Sequence, residues 1–196
     1  MIRLENVLLT AKHFGAEVTL QRIQYVAITG PSEDAKRRLT FTYLKDLLVA
    51  GHSAVLVSNH SMTTLEWYLG KLFQPELGDE KECINRVATY ISTGQLRILP
   101  ANNERDLCIQ ASKLYLDGCG VPQDALFLFI AHTQPDIASL SLINLRSNLD
   151  KAKKQDNLLI AVTVVNEEAA PQYTALTDNA DINLYVSKDK KVKVLN

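Results

Sequence analysis

The stretch Gly30-Pro31-Ser32-Glu33-Asp34-Ala35-Lys36-Arg37 follows a short β-rich run, Tyr25 to Thr29, and opens a segment of helical periodicity. A turn between a strand and a helix can surround phosphate oxygens with backbone amides and a lysine. This one overlays the phosphate-binding pattern G-x-x-x-x-G-K-[ST] with Gly30 and Lys36 in register. Two of the four defining positions differ. The second glycine is Ala35, whose methyl obstructs the approach of backbone to phosphate, and the Ser/Thr that would hold magnesium is Arg37. Glu33 and Asp34 also put negative charge into a nest meant for a polyanion. Like charges about 4 Å apart repel by about 4 kcal/mol at an effective dielectric near ~20, which offsets the attraction of Lys36. The same residues read equally as a helix start, with Ser32 as N-cap and acids facing the helix dipole. A phosphate loop, a helix cap on a decayed loop and a chance match all fit the spacing. The candidate binding residues are therefore Gly30, Ser32, Lys36 and Arg37, a vestigial ATP site, and no other cofactor is expected.

Nucleotide hydrolysis needs further groups, and the sequence does not supply them. A buried strand ending in a carboxylate would hold magnesium, but Leu126 to Ile130 runs into Ala131-His132-Thr133. An acid to activate water is also missing where Leu56 to Ser58 runs into Asn59-His60-Ser61. The histidines His13, His52, His60 and His132 lack ligand spacing, so no metal site is expected. His60 and His132 both follow strands and could converge with Asn59 and Thr133, either as polar loop residues or as a catalytic pair. Neither a G-x-S-x-G elbow nor a G-x-G-x-x-G fingerprint occurs. Lys188, Lys190, Lys191 and Lys193 form a basic tip near the end of the chain. Gatekeeper lysines on a solvated turn account for it as well as a ligand does.

The elements that would carry these residues alternate between strand-length apolar runs and longer amphipathic segments. After Tyr25 to Thr29, the residues Leu39, Tyr43, Leu44, Leu47 and Leu48 recur at helical spacing up to Gly51. Ala54 to Ser58 reads as the next strand, and Thr64 to Phe73 as a helix ended by the Pro75–Gly78 break. Glu82 to Thr93 is helical, Leu96 to Leu99 a strand, Asp106 to Leu116 a helix closed by the Gly118-x-Gly120 turn. Ala125 to Ala131 and Leu158 to Val165 are almost uninterruptedly apolar, as strands buried on both faces of a parallel sheet must be. Ser139 to Lys154 is a helix between them, and Ile182 to Val186 with Val192 to Leu195 forms an antiparallel hairpin. The expected architecture is α/β, three layers around a mostly parallel sheet with a C-terminal antiparallel hairpin, in one domain over residues 1–196.

Composition narrows the partners. The chain has 196 residues with 21 Lys+Arg against 22 Asp+Glu, and 46% of it is hydrophobic. Balanced charge argues against nucleic acid or an anionic membrane as the main partner. Cys83, Cys108 and Cys119 form no metal or disulfide pattern and suit a reducing compartment. The residues MIRLENVLLTAKHFGAEV lack a signal peptide's apolar core, and no apolar run approaches the ~20 residues of a membrane span. A cytoplasmic protein without a direct membrane span is expected.

The order of these parts resembles that of the RecA/KaiC-like ATPases. It runs from a P-loop-like turn at Gly30, through a strand ending in Val57-Ser58-Asn59, the strand Leu96-Arg97-Ile98-Leu99 after Gly94, and a Walker-B-like strand Leu126 to Ile130, to Asp181-Ile182-Asn183-Leu184 before the hairpin. That resemblance implies a three-layer RecA-like P-loop fold. Shorter segments resemble the N-terminal ATPase-like domain of the bacterial cellulose-synthesis regulator that works with cyclic di-GMP: Glu33-Asp34-Ala35, Leu126-Phe127, Leu145-Arg146-Ser147 and Leu149-Asp150-Lys151. It implies a non-hydrolysing interaction module, the cyclic di-GMP residues belonging to a different, later domain. The combined expectation is a catalytically inactive RecA-like scaffold whose partners are proteins, by self-association or in a membrane-associated assembly. Its alternative is a non-hydrolysing nucleotide sensor using Gly30 to Arg37.

Overall fold

The computed structural model describes residues 7–11, 16–20, 24–58, 60–100, 124–130, 158–164, 178, 180–189 and 191–195. Its centre is β3 (Gln24–Thr29), where Val26, Ala27 and Ile28 are fully buried. Consecutive strand residues point to opposite faces, so burial of all three means that both faces of β3 are covered. Apolar β-rich residues at Leu158–Val164 (β7) and Ile182–Val186 (β8) pair with β3 in parallel on either side.

α1 (Glu33–Val49) follows β3, and its residues Leu39, Tyr43, Leu44, Leu47 and Leu48 face the core at the spacing anticipated. Gly51, at φ +89°, turns the chain out of it. β4 (Ser53–Ser58), β5 (Leu96–Pro100) and β6 (Asp124–Ile130) then complete the parallel part of the sheet. β9 (Val192–Val194) turns back antiparallel on β8, giving a seven-stranded mixed sheet in the order β5-β4-β6-β7-β3-β8-β9. The two most apolar segments, β6 and β7, are interior strands, as continuous hydrophobicity requires.

Two elements depart from expectation. An antiparallel hairpin of β1 (Val7–Ala11) and β2 (Ala16–Leu20) precedes β3 as a separate sheet. Five-residue strands are too short for a clear alternating signal, and no element was expected there. α2 runs over Met62–Leu77, past the break expected at Pro75, and stops at Gly78 with φ +73°. Pro75 is exposed and lies in the last turn, where its missing N–H removes only one bond and the freed carbonyl can meet water.

α3 (Glu80–Ser92) starts two residues earlier than its periodicity suggested because the Asp79 side chain caps it, accepting from the Lys81 amide. Gly70 of α2 lets α3 come close, a Cβ there lying 3.8 Å from Cys83 and Ile84. α1, α2 and α3 pack in succession, α1 over β4, β6 and β7 and α3 against β5, which makes one contiguous helical layer. The helices expected at 106–116 and 139–154, which would supply the other layer, lie outside the described residues.

Candidate functional site

In a parallel α/β sheet the turns leaving the carboxyl ends of the strands meet along one edge, and the Gly30–Arg37 turn leaves the strand at its centre. Gly30 has φ +137°, and a Cβ built on it would lie 2.1 Å from the Val186 carbonyl oxygen at the end of β8. The glycine is thus used up in letting two strand ends approach.

The helix begins at once. Ser32 is extended (φ −112°, ψ 109°), and its hydroxyl accepts from the Ala35 amide at 3.3 Å while its carbonyl accepts from the Lys36 amide at 3.0 Å. Helical conformation from Glu33 onward leaves only Gly30, Pro31 and Ser32 as loop. The helix-start reading of Ser32, Glu33 and Asp34 therefore matches the geometry.

Lys36 has no exposed surface, and its Nζ lies 2.6 Å from Glu33 Oε1, one turn back on the same helix. The Glu33 side chain is 39% exposed, so the carboxylate lies toward solvent from a buried ammonium. Arg37, in the place of a magnesium-binding hydroxyl, points to α2. Its guanidinium donates to the Tyr68 hydroxyl and lies 4.6 Å from that ring's centroid. Tyr68 in turn stacks on Phe41 at 6.1 Å and meets the edge of Trp67 at 5.1 Å.

Of the four residues expected at the site, Gly30, Ser32 and Lys36 stay at the turn and Arg37 is drawn aside to the next helix. Tyr68 as the partner of Arg37 was missed because the two are 31 residues apart and Tyr68 shares a helical face with Leu65, Leu69 and Leu72. The Glu33–Lys36 pair did leave a signal, the i,i+3 spacing of opposite charges in a first helical turn.

Beside this turn, the tip of β4 is closed by Ser58, a buried residue whose Oγ accepts from the His60 amide at 3.1 Å. The β4–β6 register sets Val57 opposite Phe129, so the turns holding His60 and His132 leave adjacent strands. His132 and Thr133 lie outside the described residues, as do Asn59 and His13. His52 is buried at the opposite end of β4, where its carbonyl accepts from Gln95 Nε2 at 3.0 Å. Among the described residues no three His, Cys, Asp or Glu are grouped to hold a metal ion. No helix among them is long and apolar enough to cross a membrane.

No family model matches the chain, and no curated protein does. The narrower likeness to the cellulose-synthesis regulator therefore gains no support from relatives. Among solved structures, the ATPase domain of a helicase is similar at a TM-score of 0.59 and 13% identity, over 86% of this chain and 71% of that one. The chain shares the α/β fold of a RecA-like ATPase domain.

Proposed function

We propose that this RecA-like α/β chain is a catalytically silent domain that works as a protein-binding scaffold, its partners being further copies of itself or a membrane-associated assembly. The observation that carries the reading is Lys36. A phosphate-loop lysine must offer its ammonium to a ligand, and here the ammonium is buried against Glu33 at 2.6 Å. Neighbouring features agree with it. The Ala35 and Lys36 amides are taken up by Ser32, the space beside Gly30 is filled by Val186, and Arg37 is held by Tyr68. These residues do not fit a magnesium–triphosphate, so no step of hydrolysis is derived through one. The likeness to the cellulose-synthesis regulator suggests the setting, a cytoplasmic face of bacterial exopolysaccharide secretion.

Incubation of the protein with ATP and magnesium tests the silence. No phosphate release above buffer is expected, and release that disappears in Lys36→Met would overturn the reading. Titration with ATP, GTP and cyclic di-GMP tests the neighbouring possibility, a nucleotide sensor that does not hydrolyse. A ligand at 100 times its Kd stabilises its protein by about 2.7 kcal/mol, and no such upward shift in melting temperature is expected. A shift that Lys36→Met abolishes would replace the scaffold by the sensor.

A further inference from the structure

The two ends of the seven-stranded sheet are built differently. At the β5 end, α2 and α3 leave three large apolar side chains in solvent: Met62 is 45% exposed, Trp67 43% and Ile84 42%. Trp67 and Ile84 line one shallow groove over Gly70 and Cys83. The exposed charges around the first turns of α3 lean acidic, with Asp79, Glu80 and Glu82 against Lys81. At the β9 end, Val194 and Leu195 are 51% and 60% exposed. The exposed charges of that hairpin lean basic, with Lys188, Lys191 and Lys193 against Asp189.

Six strand intervals of about 4.8 Å put the two ends roughly 29 Å apart across the sheet, several Debye lengths at physiological salt. Within one molecule they cannot meet. Between molecules they are matched in sign, and each carries the exposed apolar area that a contact must bury. An anionic membrane or nucleic acid would find only one basic tip, flanked by an acidic aspartate, whereas a second copy offers both halves.

We infer that this chain associates head to tail with copies of itself, the β8–β9 hairpin edge of one molecule docking on the α2–α3 face of the next. The contact is heterologous, so association does not stop at a closed two-fold dimer and continues to a ring or filament. The inference names the partner within the scaffold reading and rests on it. The two fail separately, because that reading falls on ATP turnover and this inference on the state of association.

Trp67 is the chain's one tryptophan, so its fluorescence reports burial of the α2–α3 face without a label. Light scattering and Trp67 emission are followed together from micromolar to near-millimolar protein at physiological salt. Mass rising with concentration, with emission moving to shorter wavelength, is expected. The double variants Lys191→Glu/Lys193→Glu and Glu80→Lys/Glu82→Lys, all at exposed positions, should each weaken association about tenfold or more, circular dichroism confirming that they fold. Mixing the two reversed variants should restore it, since the reversed hairpin then faces a reversed helix pair. A wild-type chain that stays monomeric with unchanged emission overturns the inference. So does association indifferent to both reversals, or a mixture that remains apart.

Discussion

The turn after β3 and the outer faces at the ends of the sheet treat charge in opposite ways. At the turn, Lys36 has no exposed surface and is paired within its own helix, and Arg37 is stacked on Tyr68. At the hairpin, Lys191 is 73% exposed, its carboxylate partner Asp189 an exposed 60%. The place where this fold presents ligand-binding groups is therefore spent on internal contacts, and the charges and apolar side chains that face outward lie elsewhere. Burial separates the two classes: a cation withdrawn from water must be matched by its own chain, whereas a solvated one stays available to a partner.

This contrast breaks first at Gly30. Gly30→Ala places a methyl where Val186 O stands at 2.1 Å, on a backbone at φ +137° that alanine rarely adopts. A loss of about 3 kcal/mol or more is expected in denaturant unfolding. A near-neutral result would mean that the turn is open enough to wrap a phosphate after all.

A smaller effect separates the two members of the buried pair. Glu33→Gln leaves the Lys36 ammonium buried beside a neutral amide and should cost about 1–2 kcal/mol, reduced for screening because the Glu33 side chain is 39% exposed. Lys36→Met removes the charge and keeps the apolar stem, and should cost less than Glu33→Gln or stabilise slightly. The reverse order in chemical denaturation would show that the ammonium, not the carboxylate, governs the turn.

Smallest are the outward charges. Lys193→Glu and Lys71→Ala should change the stability of the monomer by no more than about 0.5 kcal/mol. Lys71 lies 4.2 Å over the exposed Trp67 ring, a contact worth about 0.5–1 kcal/mol at most in water. A loss well above that range at either residue, seen in thermal unfolding of dilute protein, would place it among the internal contacts instead.

Most of the sheet was legible in the chain. Runs such as Ala125 to Ala131 and Leu158 to Val165 declared their burial by composition, since a strand covered on both faces has no polar side to show. The β1–β2 hairpin was not legible, because short strands carry little period, and α2 outran Pro75 because a proline near a solvated helix end removes little. At the turn, residue types disclosed the loss of the second glycine and of the magnesium hydroxyl, and helix-start rules placed Ser32 as the cap. They could not disclose where Arg37 points, since its partner is brought from a helix 31 residues away.

By itself the sequence determined the alternation of strands and helices, the interior places of β6 and β7, and the local chemistry of the β3–α1 turn. All of these are set by hydrophobic period and by residues within one helical turn of each other. Only the tertiary structure decided that Gly30 is filled by Val186, that Lys36 is sealed from water, and that Arg37 belongs to Tyr68. Those outcomes depend on which distant segments arrive at the same edge of the sheet, and burial, which fixes whether a charge serves the fold or a partner, exists only after they have arrived.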